Sequence, residues 1–112
     1  MKELWSRSVA KIHDGKLEDF NRLAEDLLSA IRENDSETLN YAIFLDEPRR
    51  VAVIIAQYAS PAGWLAHNAN LGALMPRFPE VCEFTEIEFY GDPTPEALDA
   101  LGGRYYPTLL AL

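Results

Sequence analysis

Between Thr38 and Tyr58 the chain is apolar on both parities of an extended-strand pattern. Leu39, Tyr41, Ile43 and Leu45 fall on one side, Ala42 and Phe44 on the other. Beyond the polar stretch Asp46-Glu47-Pro48-Arg49, Val51, Val53 and Ile55 oppose Ala52, Ile54, Ala56 and Tyr58. Two such runs, rich in β-branched and aromatic residues and joined by a short turn, predict a hairpin. Side chains alternate across a sheet, so a hairpin apolar on both sides needs cover on both sides.

The flanking pattern supplies the remaining elements. Leu4 to Ile12 reads as a strand, and Asp14-Gly15 is turn chemistry that places Asp14 to cap the next helix. From Lys16 to Glu33, Leu17, Phe20, Leu23, Ala24, Leu27, Leu28 and Ile31 recur at the spacing of one helix face. Ser60-Pro61, a cap followed by a first-turn proline, opens a second helix expected to reach Met75. Trp64, His67, Asn68 and Leu71 share one face of it. Val81 to Tyr90 predicts a fourth strand, whose Glu83, Glu86 and Glu88 suit a sheet edge. Strict alternation would separate Glu83 from the other two. Thr94-Pro95-Glu96 starts a short helix closed by Gly102-Gly103, and an apolar tail follows from Arg104 to Leu112.

The order β-α-β-β-α-β is the ferredoxin-like split βαβ arrangement, an α+β fold with both helices on one face of a four-stranded antiparallel sheet. Residues 1–91 make this domain, and residues 92–112 add a short helix and an apolar tail that packs on the domain or on a partner subunit. Strands ~4.8 Å apart and ~20 Å long leave roughly 400 Å² of sheet without helices. If that face is mostly apolar, leaving it wet forgoes about 10 kcal/mol at ~25 cal/mol/Å². Such a loss rivals the ~5–15 kcal/mol of a whole domain. The expected cover is the same face of a second copy, in a two-fold homodimer.

Composition narrows the partners. A chain of 112 residues carrying eighteen acids and ten bases, net charge -8, is poorly suited to nucleic acid or an anionic membrane. Cys82 is the single cysteine, so no intrachain disulfide forms. With two separated histidines and that one cysteine, no metal site is expected. No apolar run is as long as a membrane span and the start has no apolar signal core, so a cytoplasmic location is expected.

Three stretches resemble the antibiotic biosynthesis monooxygenase family of dimeric α/β barrels. They are His13 to Phe20, where strand turns into helix, Glu37 to Tyr41, and Ser60 to His67. The resemblance implies a dimeric barrel with a ligand cavity between helices and sheet in each subunit. It also implies oxygenation of an aromatic or quinol-type small molecule without a cofactor, in an apolar pocket holding a base that makes the phenolate. Under that reading His67 is the base and Asn68 holds the oxyanion, while Trp64, Tyr41 and Leu71 form the substrate-binding walls. Two alternatives stay open: a non-catalytic binding or structural barrel, and haem binding with His67 as an axial ligand.

Overall fold

The apolar stripe of the first helical pattern folds as α1 (Leu17–Asn34), which buries Phe20, Leu23, Leu27 and Ile31. Each such side chain contributes about 1.5–3 kcal/mol by leaving water. The computed structural model describes residues 2–112. The surface that α1 covers is a sheet built from β1 (Leu4–Ile12), β2 (Thr38–Asp46), β3 (Val51–Tyr58) and β4 (Cys82–Gly91). The even-numbered residues of β1 and β3 face the helices, with Leu4, Ala10, Ile12, Ala52 and Ala56 almost wholly buried. Asp14 does not cap α1. It precedes the cap residue Lys16 by two positions, too early to reach the first free amides, and pairs instead with Arg50 of the hairpin turn.

The second helix, α2 (Pro61–Asn70), begins as expected, with Ser60 Oγ accepting from the Gly63 amide at 3.1 Å. It does not reach Met75. The chain turns at Leu71 to Leu74, makes a 3₁₀ turn at Met75–Arg77, and enters a four-residue helix, α3 (Phe78–Val81). Pro76 and Pro79 each sit in the first turn of one of these pieces, where a missing amide costs nothing. Each proline therefore helps to start a new short helical piece, while α2 has already ended at Asn70. Phe78 and Val81 are buried beside Leu27 and Ile31 as a result.

The sheet order is β2-β3-β1-β4-β5, the ferredoxin-like order with one strand added. β5 (Arg104–Tyr106) follows α4 (Pro95–Ala100) and lies parallel to β4, so the sheet is five-stranded and mixed rather than four-stranded and antiparallel. β5 covers β4 only from Glu88 to Tyr90, so the stretch with Glu83 and Glu86 remains a sheet edge, as expected, and Glu88 does not. The pairing of β4 with β1 shifts register between Val9 and Ala10, which sets Glu83, Glu86 and Glu88 opposite Lys11, Val9 and Arg7. The extra residue in β4 puts all three glutamates on the helix-free face, against the strict alternation expected from sequence.

That face is divided. Phe44, Val53 and Val9 form one row, and Ala42 and Ile55 lie beside them, with Phe44 56% exposed. Towards β4 it turns polar, with Arg7 donating to Glu88 at 3.1 Å and to Glu86 at 3.4 Å. Leu45, on the helix side by parity, and Leu39, the extra residue where the β2–β3 pairing shifts register, are exposed at the two ends of the edge strand β2. The tail does not fold over its own sheet: Leu109 and Leu110 are about 90% exposed. Among the described residues no helix is long and apolar enough to cross a membrane.

The C-terminal segment joins the domain through a close backbone contact. A Cβ on Gly103 would sit 2.2 Å from the Ile87 carbonyl oxygen, whereas one on Gly102 would meet nothing. Gly103→Ala should therefore loosen β5 and speed tryptic cleavage after Arg104 several-fold, with Gly102→Ala matching the wild type; time-resolved mass spectrometry reads both.

Candidate active site

His67 lies on the inner face of α2, 5% exposed, above the hairpin. Its Nδ1 is 2.6 Å from Oδ2 of Asp35, whose side chain is 2% exposed. Asp35 is the residue at which α1 stops: its amide still donates to the Ile31 carbonyl, and its backbone is extended. The carboxylate turns inward and also accepts from Thr38 Oγ1 at 2.9 Å and from Asn70 Nδ2 at 2.6 Å. The end of α1, the start of β2 and two residues of α2 one turn apart thus meet on one acidic group. The entry to α2 is docked to the same loop, with Ser60 Oγ donating to Glu37 and the Ala59 amide to the Glu37 carbonyl.

This arrangement decides the histidine tautomer. Burial works against the Asp35 charge, but hydrogen bonds from Asn70, His67 and Thr38 together outweigh it and hold the group below the usual carboxylate range. An ionised carboxylate only accepts, so the proton of the neutral imidazole sits on Nδ1 and Nε2 carries a lone pair. Nε2 has no partner among the described residues. Nor is it sealed away: among the described residues the buried side-chain polar atom without a partner is Arg50 Nε, in the distant hairpin turn, and not His67 Nε2. His67 lines a cavity of about 210 Å³ between α2 and the sheet.

All five residues singled out from sequence line that one cavity: His67, Asn68, Trp64, Tyr41 and Leu71. Trp64 has its indole edge-on to Phe89 at 5.3 Å and packs with Leu4, Ala56 and Ala97, so it is core as much as wall. Asn68 is half-buried with no hydrogen-bond partner among the described residues, which leaves its amide for a ligand. Apolar walls come from Ile54, Phe78, Phe84 and Ile87, and Ala100 and Gly102 of the C-terminal segment border one side. Sequence reasoning missed Asp35, Tyr58 and Ser6, which also touch this site. For Asp35 one signal existed: an acid at a helix C-terminus opposes the helix dipole and calls for a partner elsewhere. Among the described residues no group of three His, Cys, Asp or Glu side chains is placed to hold a metal ion.

No family model matches the chain, and no curated protein does. Solved structures do. MupZ from Pseudomonas fluorescens is 14% identical with a TM-score of 0.83, over 100% of this chain and 94% of that one. SnoaB, a cofactor-independent oxygenase from Streptomyces nogalater, is 10% identical with a TM-score of 0.70, over 84% and 96%. A candidate antibiotic biosynthesis monooxygenase from Bacteroides thetaiotaomicron is 15% identical with a TM-score of 0.67, over 79% and 85%. The chain therefore has the ferredoxin-like fold found among the antibiotic biosynthesis monooxygenase structures.

Asp35→Ala should cost about 2–3 kcal/mol in urea unfolding at neutral pH, since it orphans the buried His67 donor and the half-buried Thr38 hydroxyl and frees the exposed Asn70 amide. The folded pKa of Asp35 lies below its unfolded value, so its stabilisation is complete above that value and is lost as pH falls through the folded pKa. The gap between wild type and Asp35→Ala should accordingly narrow below about pH 4.

Proposed function

We propose that the protein is a homodimeric, cofactor-independent monooxygenase acting on a small aromatic or quinol-type molecule, with His67 as the base. The observation that carries this reading is an imidazole on the wall of a largely apolar cavity with its Nδ1 tied to Asp35, so that Nε2 is the nitrogen left for a ligand. A base so oriented needs no rearrangement before it takes a proton. The likeness to a cofactor-independent oxygenase fold supports the choice of reaction.

The chemistry follows from the groups present. His67 Nε2 takes the phenolic proton, and the electron pair delocalises onto a ring carbon that bears hydrogen. That carbanion passes one electron to dioxygen, and the radical pair joins as a carbon–oxygen bond. The peroxide anion recovers the proton from His67, then loses water to leave a carbonyl. One oxygen atom stays in product and one leaves as water. In this reading Asn68 donates to the developing oxyanion and Trp64, Tyr41 and Leu71 are walls, which their shared lining of the cavity supports. The Asp35 carboxylate offsets the charge on His67 while it holds the proton. The cavity is smaller than the roughly 300–1,000 Å³ of ordinary ligand pockets, which argues against haem.

The dimer rests on the helix-free face, where Phe44, Val53, Val9 and Ile55 form an apolar patch on one half. A second copy covers it, and the exposed Leu109, Leu110 and Leu112 lie across that partner.

Two measurements test these statements. With a panel of hydroquinones and naphthols, oxygen uptake should fall about 10²–10⁴-fold in kcat/KM for both His67→Ala and His67→Gln. Full turnover in either variant removes His67 from the reaction. In sedimentation at micromolar concentration the wild type should run as a dimer and Phe44→Lys as a folded monomer; a monomeric wild type rejects the assembly.

A further inference from the structure

Two phenols stand beside His67 without a part in proton abstraction as described. The rings of Tyr41 and Tyr58 have their centroids 5.5 and 5.1 Å from the imidazole, and both border the cavity. The hairpin register explains the placement. Tyr41 pairs with Ala56 and Tyr58 with Thr38, so the two phenols are diagonal neighbours on the helix-facing side, separated by the small Ala56. Leu4 and Ser6 of β1 lie opposite Tyr58 and Ala56, which brings the Ser6 hydroxyl to the same end.

Burial raises the pKa of Tyr41, and the Asp35 charge adds to the effect. Burial likewise raises Tyr58, helped by Tyr41 and Asp35 against a hydrogen bond with Ser6. Both stay protonated through the physiological range, where an O–H can only be given to an acceptor that outcompetes Ser6 or water. The Tyr41 hydroxyl has no hydrogen-bond partner among the described residues, so its donor is uncommitted. One side of the cavity thus holds a proton acceptor, and beside it are two neutral donors.

We propose that Tyr41 and Tyr58 join Asn68 in holding the anionic oxygen formed when His67 takes a proton, so that Tyr41 is more than a wall and the site is specific for one- or two-ring phenols bound as phenolates. The inference rests on His67 being the base. In the step, the ligand O–H bond breaks, its proton goes to Nε2, and its electron pair stays on oxygen to accept from the two phenol hydroxyls and the Asn68 amide. The charges then alternate from Asp35 to imidazolium to phenolate, so no buried charge lacks a counterpart. The size limit comes from the cavity of about 210 Å³. A dry cavity of roughly 150 Å³ accepts benzene, so two fused rings are near the upper bound.

The probes are para-nitrophenol, whose anion has its own visible absorption band, and nitrobenzene, which lacks the hydroxyl. Both are titrated into the full-length protein in buffer below the solution pKa of the phenol. Wild type should bind para-nitrophenol with the anion band and hold it far more tightly than nitrobenzene. Tyr41→Phe and Tyr58→Phe, which keep the ring and the fold, should each weaken para-nitrophenol roughly tenfold, as expected for a hydrogen bond to charge, and leave nitrobenzene unchanged. In His67→Gln the bound probe should stay neutral. Binding in the neutral band, equal losses for both probes, unchanged affinity in both phenylalanine variants, or no binding by wild type would each overturn the proposal. The oxygenase reading fails separately: phenolate binding without oxygen uptake by any quinol removes oxygenation and leaves the anion site standing.

Discussion

The buried Asp35 carboxylate is the constraint on which the rest depends. It accepts from Thr38, His67 and Asn70 at once, and these belong to β2 and α2 while Asp35 itself closes α1. A carboxylate taken from water is tolerable only with such a set of donors around it. The same contacts that join two helices and a strand also assign the imidazole proton. Stability and chemistry are therefore coupled at one residue, and neither can be altered there alone.

The two faces of the sheet meet different demands. Towards the helices, small residues on the central strands (Ser6, Ala10, Ala52, Ala56) make room for rings and for α1. Away from them, the face splits between an apolar half on β2 and β3 and an ionic half on β1 and β4. The ionic half extends through Tyr90, which donates to Glu88 at 2.7 Å and stacks on Tyr106 of β5. The hydrogen bond from Tyr90, with Arg7 behind it, keeps Glu88 below the usual carboxylate range. Polar groups on this side are thus largely paired among themselves, and the unmet apolar surface is concentrated around Phe44 and the tail.

Much of the fold was legible because it is written in periodicity. The stripe of α1, the two-sided hairpin and the Ser60-Pro61 cap each rest on neighbours in sequence. What was illegible depends on distant partners. The Thr85 irregularity in β4 leaves no local mark, and β5 is too short to show alternation. The stop of α2 at Asn70 was blurred because Gly72 and Pro76 mark a break without saying which residue ends the helix. In the site, the face bearing Trp64, His67, Asn68 and Leu71 could be read from helical spacing. Asp35, 32 positions from His67, could not, and Tyr58 looked like one more apolar position of a strand.

The position of β1 at the middle of the sheet has a consequence for how the chain reaches this structure. β1 pairs with β3 and β4, whose partner residues lie about forty to ninety positions further along the chain. Both pairings close long loops, the one to β4 longer than the one to β3, and loop-closure entropy opposes both. The hairpin and α1 can organise locally, leaving Trp5 and Val9 as an unclaimed strand in the nascent chain. Sequence separation therefore favours an order in which helix and hairpin form before the central strand is inserted.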